Sequence, residues 1–357
     1  MTDDAYDQLA NALDRLPNGF PRTAAGVELL ILKKIFSPEE AALAAQLGGK
    51  METAAEIAGR TGQPAGEVTR QLLPLAKREL VWCDRQEGRA RFRLAPFIVG
   101  IYESMVGGLD HELAHLVEDY MANGGAAGIM GPEPALQRVV PAHGTVKSEW
   151  ILPYEDVHAI LLGARTFHLG DCICREQKSL VGEPCAFPAH VCLGFSSVER
   201  PAPAPGDISQ AEALALLDRC EEIGLVHSVS NVMEGMGYVC NCCGCCCGIL
   251  RGITDFGIAN SVAYANYYAV IDPELCSGCG TCRERCQVGA ISEEDGGISV
   301  VDRARCIGCG LCVTGCPNEV ARLVRKPDAE TVHPPVNFEA WEQARLANRG
   351  LAEERET

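Results

Sequence analysis

Apolar positions recur every three to four residues over much of the first hundred residues, and helix-start signals mark the gaps between the runs. Ser37-Pro38-Glu39-Glu40 is a capping box with proline at the first helical position. It predicts a helix through Ala41–Leu47 that stops at Gly48-Gly49. A second helix opens at Thr53-Ala54-Ala55-Glu56-Ile57-Ala58, a turn follows at Gly62-Gln63-Pro64, and an apolar-periodic stretch runs from Val68 to Leu80. Val81–Leu94 then alternates with period two around Glu87-Gly88, as a hairpin does. Phe97 to about Asn123 reads as one longer helix loosened at Gly107-Gly108, and Gly124–His143, rich in Gly and Pro, as a linker. Tyr154–Phe167 fits a helix entered from Pro153. Ser209-Gln210-Ala211-Glu212 is a further capping box for a helix that ends at Gly224, with Ala213, Leu216, Leu217, Cys220 and Ile223 on one face. Phe338–Asn348 reads as a short helix before a disordered acidic end.

Helix, turn, helix and hairpin over residues 22–95 are similar to a winged helix. Arg85, Arg89, Arg91 and Arg93 in the wing favour DNA as a partner; Pro74, inside the would-be recognition helix, is expected to kink it and opposes that reading. Winged helices also serve as protein-interaction modules, and protein docking is the preferred expectation.

The net charge is −17, unevenly spread. Residues 22–95 hold twelve Lys/Arg against nine Asp/Glu, leaving nineteen against thirty-nine elsewhere. An acidic body disfavours general nucleic-acid affinity and suits either docking on a basic redox partner or plain solubility. No uncharged apolar run reaches the ~18 residues of a membrane span. The acidic start Met-Thr-Asp-Asp lacks a signal-peptide layout, so a cytoplasmic location is expected.

Twenty cysteines in such a chain point to metal rather than disulfides. Cys83 and Cys220 stand alone and are expected to be packed thiols; the other eighteen lie between Cys172 and Cys316. Cys172, Cys174, Cys185 and Cys192 can supply four thiolates to one cubane cluster or to zinc. Arg175 and His190 nearby are either hydrogen-bond donors to sulfur or ordinary surface polar residues. Residues 240–248 read Cys-Asn-Cys-Cys-Gly-Cys-Cys-Cys-Gly. Six thiols in eight residues, Cys240, Cys242, Cys243, Cys245, Cys246 and Cys247, would repel as thiolates unless a metal neutralised them. One or two further iron–sulfur clusters are therefore expected among these ten central cysteines, with the ligand subset open.

His111-Glu112-Leu113-Ala114-His115 matches the H-E-x-x-H string of zinc proteases. Glu118 and Met121 stand where a longer zinc motif needs Gly and His, and a polar helix face is the expectation.

The strongest pattern is Cys276-x2-Cys279-x2-Cys282-x3-Cys286, repeated 30 residues on as Cys306-x2-Cys309-x2-Cys312-x3-Cys316-Pro317. In two-cluster ferredoxins of this spacing the fourth cysteine of each run serves the other cluster. Two [4Fe–4S] clusters are expected, one on Cys276, Cys279, Cys282 and Cys316, the other on Cys306, Cys309, Cys312 and Cys286. Gln287 replaces the proline of the bacterial pattern in the first copy, which predicts a looser loop there.

Taken together, the strings Phe92–Glu103, Leu152–Val157, Cys172-Ile-Cys174, Cys240–Cys247 and both ferredoxin runs resemble the 4Fe–4S dicluster ferredoxin-like proteins of anaerobes with an N-terminal winged-helix-like region. The resemblance covers most of residues 22–327 and implies electron transfer without naming a substrate. The expected fold class is α+β. Its parts are a winged-helix-like module over 22–95, a helical linker region over 96–150, a cysteine-rich module over 151–260, a ferredoxin domain over 267–327 and an acidic tail over 328–357. Three functions follow: an electron-transfer protein or relay subunit working between unidentified redox-protein donors and acceptors, a redox-responsive regulator, and a reductase with a catalytic central cluster. The first is preferred.

Overall fold

The computed structural model describes residues 2–147, 149–200, 202–294 and 296–352. The chain divides into two compact units. One comprises the residues up to Pro132, Glu176–Glu183 and the residues from Glu342; the other comprises Glu133–Arg175 and Pro184–Trp341.

The first unit begins with α1 (Thr2–Asp14), α2 (Val27–Ile35), α3 (Pro38–Ala44), β1 (Glu52–Thr53), α4 (Ala54–Thr61), α5 (Ala65–Lys77) and the hairpin β2 (Val81–Gln86) and β3 (Arg89–Leu94). The side chains of Ser37 and Thr53 cap α3 and α4, with Glu40 and Glu56 completing reciprocal capping boxes. Glu87 and Gly88, at φ 51° and 77°, make the tight left-handed turn that suits a two-residue hairpin. The sheet order is β1-β3-β2. Val68, Leu72 and Leu75 bury one face of α5, each contributing about 1.5–3 kcal/mol. Helix α5 remains a single element across Pro74.

Phe97–Asn123 is not one helix. Ile98 and Val99 are extended, a short 3-10 turn covers Glu103–Met105, and α6 (His111–Tyr120) starts afresh with the Asp110 carboxylate accepting from the Leu113 amide. The interruption lets Phe97 enter an aromatic cluster with Phe20 and Tyr120, at ring-centroid distances of 4.7 and 6.0 Å. After α7 (Ala126–Met130), this unit is completed by the end of the C-terminal helix. Arg345 is fully buried there and donates to the carbonyls of Pro17, at 2.8 Å, Ile129 and Pro132. Arg349 donates to the Asp14 carbonyl at 2.7 Å and its carboxylate at 2.9 Å. The disorder expected after Asn348 falls largely on residues 353–357, outside the described residues.

The second unit is built on an antiparallel sheet of six strands. In chain order they are β4 (Gln137–Val140), β5 (Thr166–Asp171), β6 (His190–Ser196), β7 (Asp207–Ile208), β8 (Val226–Ser230) and β9 (Tyr238–Cys242). Across the sheet they run β4-β8-β9-β6-β5-β7. Helix α9 spans Ile173–Leu180, and helices α8 (Val157–Leu162) and α10 (Gln210–Ile223) supply Val157, Leu161, Leu216 and Leu217 to a core shared with Phe167, Leu193, Val229 and Val239. Two expectations fail here. The stretch expected as a linker contains β4, whose four residues are all buried and pair with β8. The helix expected over Tyr154–Phe167 ends at Leu162, because Thr166 onward is hydrogen-bonded to β6. Cys220, as expected, is core, and α10 ends on Gly224 at φ 92°.

The C-terminal part of this unit repeats itself. Strands β10 (Tyr267–Ile271) and β13 (Ala321–Arg325) pair antiparallel, as do β11 (Ile291–Glu293) and β12 (Ser299–Val301). Short helices α12 (Thr281–Glu284) and α13 (Leu311–Thr314) each follow a left-handed glycine, Gly280 and Gly310. The described chain ends with α14 (Phe338–Asn348) and Trp341 is buried. Among the described residues no helix is long and apolar enough to cross a membrane.

Candidate metal centres

The eight thiols of the repeated run separate into two groups. Cys276, Cys279, Cys282 and Cys316 line one cavity of about 310 Å³, together with Ile271, Pro317 and Val320. Cys286, Cys306, Cys309 and Cys312 line a second, of about 350 Å³, walled by Ala269, Val288, Ile291 and Leu311. Each cavity thus takes three cysteines from one run and the last cysteine of the other. Backbone amides point at sulfur: Ala290 N lies 3.1 Å from Cys286 Sγ and Ala269 N 3.4 Å from Cys306 Sγ. Gly308 lies where a Cβ would strike the Tyr267 carbonyl, so its close approach, at φ 73°, requires glycine. Burial pushes the Cys312 thiol up to about 12. Four thiols in an apolar pocket with amides aimed at sulfur fit an electron-deficient metal cluster.

The ten central thiols also separate into two sets. Strand β9 carries Cys240 and Cys242 on one face, two residues apart, and the chain then turns through Cys243–Cys247 into α11 (Gly248–Thr254). Cys185 approaches from the loop before β6, and its Sγ lies 3.6 Å from Cys243 and 3.4 Å from Cys245; Cys245 lies 3.7 Å from Cys246. These four sulfurs all lie within 4.8 Å of one another. The other six form a file in which each thiol neighbours the next: Cys192, Cys240, Cys242, Cys247, Cys174, Cys172. Hydrogen bonds from Cys240 and Cys247 hold the Cys242 thiol down to about 6. Ser228 Oγ is 3.6 Å from Cys242 Sγ, and Gln137 Nε2 is 3.8 Å from Cys240 Sγ. Asn241, between the two cysteines, is anchored by donating to the Val191 carbonyl at 2.7 Å.

Of the two polar neighbours singled out in the sequence, only Arg175 faces the thiols. It is 3% exposed, donates Nη2 to the Asn241 carbonyl at 3.0 Å, and leaves Nε and Nη1 without a hydrogen-bond partner. Burial opposes its charge, but the Cys243 and Cys172 thiols facing it raise its pKa overall. His190 is exposed and pairs with Asp171 at 2.7 Å. His111 and His115 lie on the exposed face of α6, with Glu112 engaged by Lys34, as a polar helix face would have them. Cys83, expected to be packed, is exposed.

Two residues of the first ferredoxin run do work that spacing did not reveal. Gln287 accepts from the Gly244 amide through Oε1 at 2.8 Å and donates from Nε2 to the Gly224 carbonyl at 2.8 Å. Its loop is held rather than loosened. A Cβ on Gly244 would collide with the Gln287 carbonyl. Arg285 donates to the carbonyls of Leu311 at 2.8 Å, Glu222 at 2.7 Å and Glu221 at 2.6 Å. The missing proline was the one signal in the sequence that pointed here.

Residues 275–321 match the family described as 4Fe-4S dicluster domain. No curated protein matches the chain, and no solved structure does. The matched segment contains all eight thiols of the two cavities, from Cys276 to Cys316. With that domain and the central thiol cluster, the chain is a ferredoxin-like iron–sulfur protein of the electron-transfer class.

Proposed function

We propose that the protein is an electron-relay protein or subunit that carries two [4Fe–4S] clusters in its dicluster domain and passes electrons between that domain and metal held by the central cysteines. The ligand sets are Cys276, Cys279, Cys282 and Cys316 for one cluster and Cys306, Cys309, Cys312 and Cys286 for the other, supported by the cavities those thiols line. When bound, each such cluster accepts and releases one electron at a time.

The observation that carries the reading is the Gln287–Gly244 contact. Gln287 follows Cys286, a lining residue of the second cavity, and Gly244 lies between Cys243 and Cys245. A side chain therefore bridges the two thiol-rich regions at one hydrogen bond. Arg285, on the other side of Cys286, fixes the same junction through three carbonyls. Together they hold the thiol groups in fixed register, which electron hopping requires. Protein donors and acceptors and a cytoplasmic location belong to this reading.

The N-terminal element order, helices, a short strand, two helices and a hairpin, supports a winged-helix module. Two of its four wing arginines are engaged, Arg91 with Asp84 at 2.6 Å and Arg93 with Glu342 at 3.1 Å, and Arg78 outside the wing pairs with Glu40 at 2.7 Å. Paired guanidinium groups favour protein docking over a DNA backbone, and the relay over the regulator. Iron and acid-labile sulfide per chain on anaerobically purified protein, with EPR after dithionite reduction, test the proposal. It expects at least about eight irons with matching sulfide and two interacting S = 1/2 signals. Protein with fewer than about four irons, or with no reducible signal, refutes it.

A further inference from the structure

We infer that Cys185, Cys243, Cys245 and Cys246 bind a single tetrahedrally coordinated ion of the zinc or iron(II) kind, with no inorganic sulfide. Thiolates bound to one zinc at about 2.3 Å occupy the corners of a tetrahedron whose edge is about 3.8 Å. The separations are 3.4, 3.6 and 3.7 Å, and all four sulfurs lie within 4.8 Å of one another. A cubane places a layer of irons and sulfides between its thiolates and holds them further apart. The chain contains its own standard: none of the eight dicluster thiols belongs to so compact a group among the described residues. Disulfides do not explain the spacing either, since an S–S bond is about 2.05 Å.

Charge agrees with size. Binding converts four thiols and one divalent ion into a dianionic centre and releases the thiol protons, four in all, less those already lost. Arg175 provides one positive charge at this point, buried, with Nε and Nη1 lacking partners. The Phe187 amide, 3.4 Å from Cys185 Sγ, adds a donor. Gln287 orients the Gly244 peptide between two of the ligands. The six remaining central thiols are then the ones available for a cluster.

This inference rests on the metal-binding reading of the central module but not on the relay. Its test is elemental analysis and sulfide assay of full-length wild type and Cys243→Ser, Cys246→Ser. The expected result is loss of one zinc or one iron per chain with sulfide unchanged. Loss of iron and sulfide together, or no loss of metal, overturns it. Because the serine variant could misfold, wild type grown with cobalt(II) is the second measurement. Red-visible ligand-field bands of a tetrahedral thiolate site are expected, and their absence at full cobalt loading of one ion per chain overturns the inference. The dicluster EPR signals, read in the same samples, report separately on the relay.

Discussion

Gln287→Ala isolates the junction between the dicluster and central cysteines. The substitution removes two hydrogen bonds, from the Gly244 amide and to the Gly224 carbonyl, both at 2.8 Å. Gln287 and Gly244 are half-buried, so water can partly replace the lost partners. A net contribution of about 1 kcal/mol per bond gives a destabilisation of about 2 kcal/mol, a factor of about 30 in the local opening equilibrium. The assay is anaerobic guanidinium unfolding followed by bleaching of the iron–sulfur absorbance, with tryptophan fluorescence as the second probe. The transition should move to lower denaturant, and reduction of a cluster on the six other central thiols through the dicluster should slow relative to direct dithionite reduction of each. Gln287→Pro, which restores the bacterial pattern, should behave like the alanine variant despite being the commoner residue at that place. A Gln287→Pro protein as stable and as well coupled as wild type would refute the claim that this side chain is the link.

Arg175→Met keeps the length of the side chain and removes its charge; retention of the ion at Cys185, Cys243, Cys245 and Cys246 should fall about 10- to 100-fold in chelator competition. Arg345→Met leaves three buried carbonyls without their donor and should cost the first unit about 3 kcal/mol, read as a lower thermal midpoint. Crossed ligation predicts that Cys316→Ser perturbs the EPR signal of the cluster on Cys276, Cys279 and Cys282, and Cys286→Ser that of the cluster on Cys306, Cys309 and Cys312. The reverse pattern would show that each run closes on itself.

The dicluster domain was legible because its information is local: four thiols at fixed spacing, closed by glycines that alone permit the wrap. The two capping boxes and the helix start at Thr53 were equally local, and Ser37, Thr53 and Ser209 all cap helices. What escaped reading depends on distant partners. Gln137–Val140 carries no strand signal strong enough to overcome its Gly- and Pro-rich surroundings, and becomes a strand because β8 is there to pair with it. Thr166 leaves the helical pattern for the same reason, facing Ser196 of β6. The partition of the ten central thiols was illegible because Cys185 joins Cys243, Cys245 and Cys246 across 58 or more residues, and no spacing rule encodes that. Arg175 read as ambiguous for the same cause, its burial being decided by residues far along the chain.

Arg345 and Arg349 tie the last helix to carbonyls at Pro17, Asp14 and Leu16. The first unit is therefore assembled from segments on both sides of the cysteine-rich stretch, with nearly all the cysteines encoded between them. On the ribosome, the stretch from Glu133 to Trp341 emerges complete before the residues that close the first unit exist. Metal can thus be delivered to the thiols while the N-terminal helices still lack their closing helix, and final closure comes only after the cysteine-bearing region has been made. A nascent chain stalled just short of Glu342 would be the species on which loading and closure are separated in time.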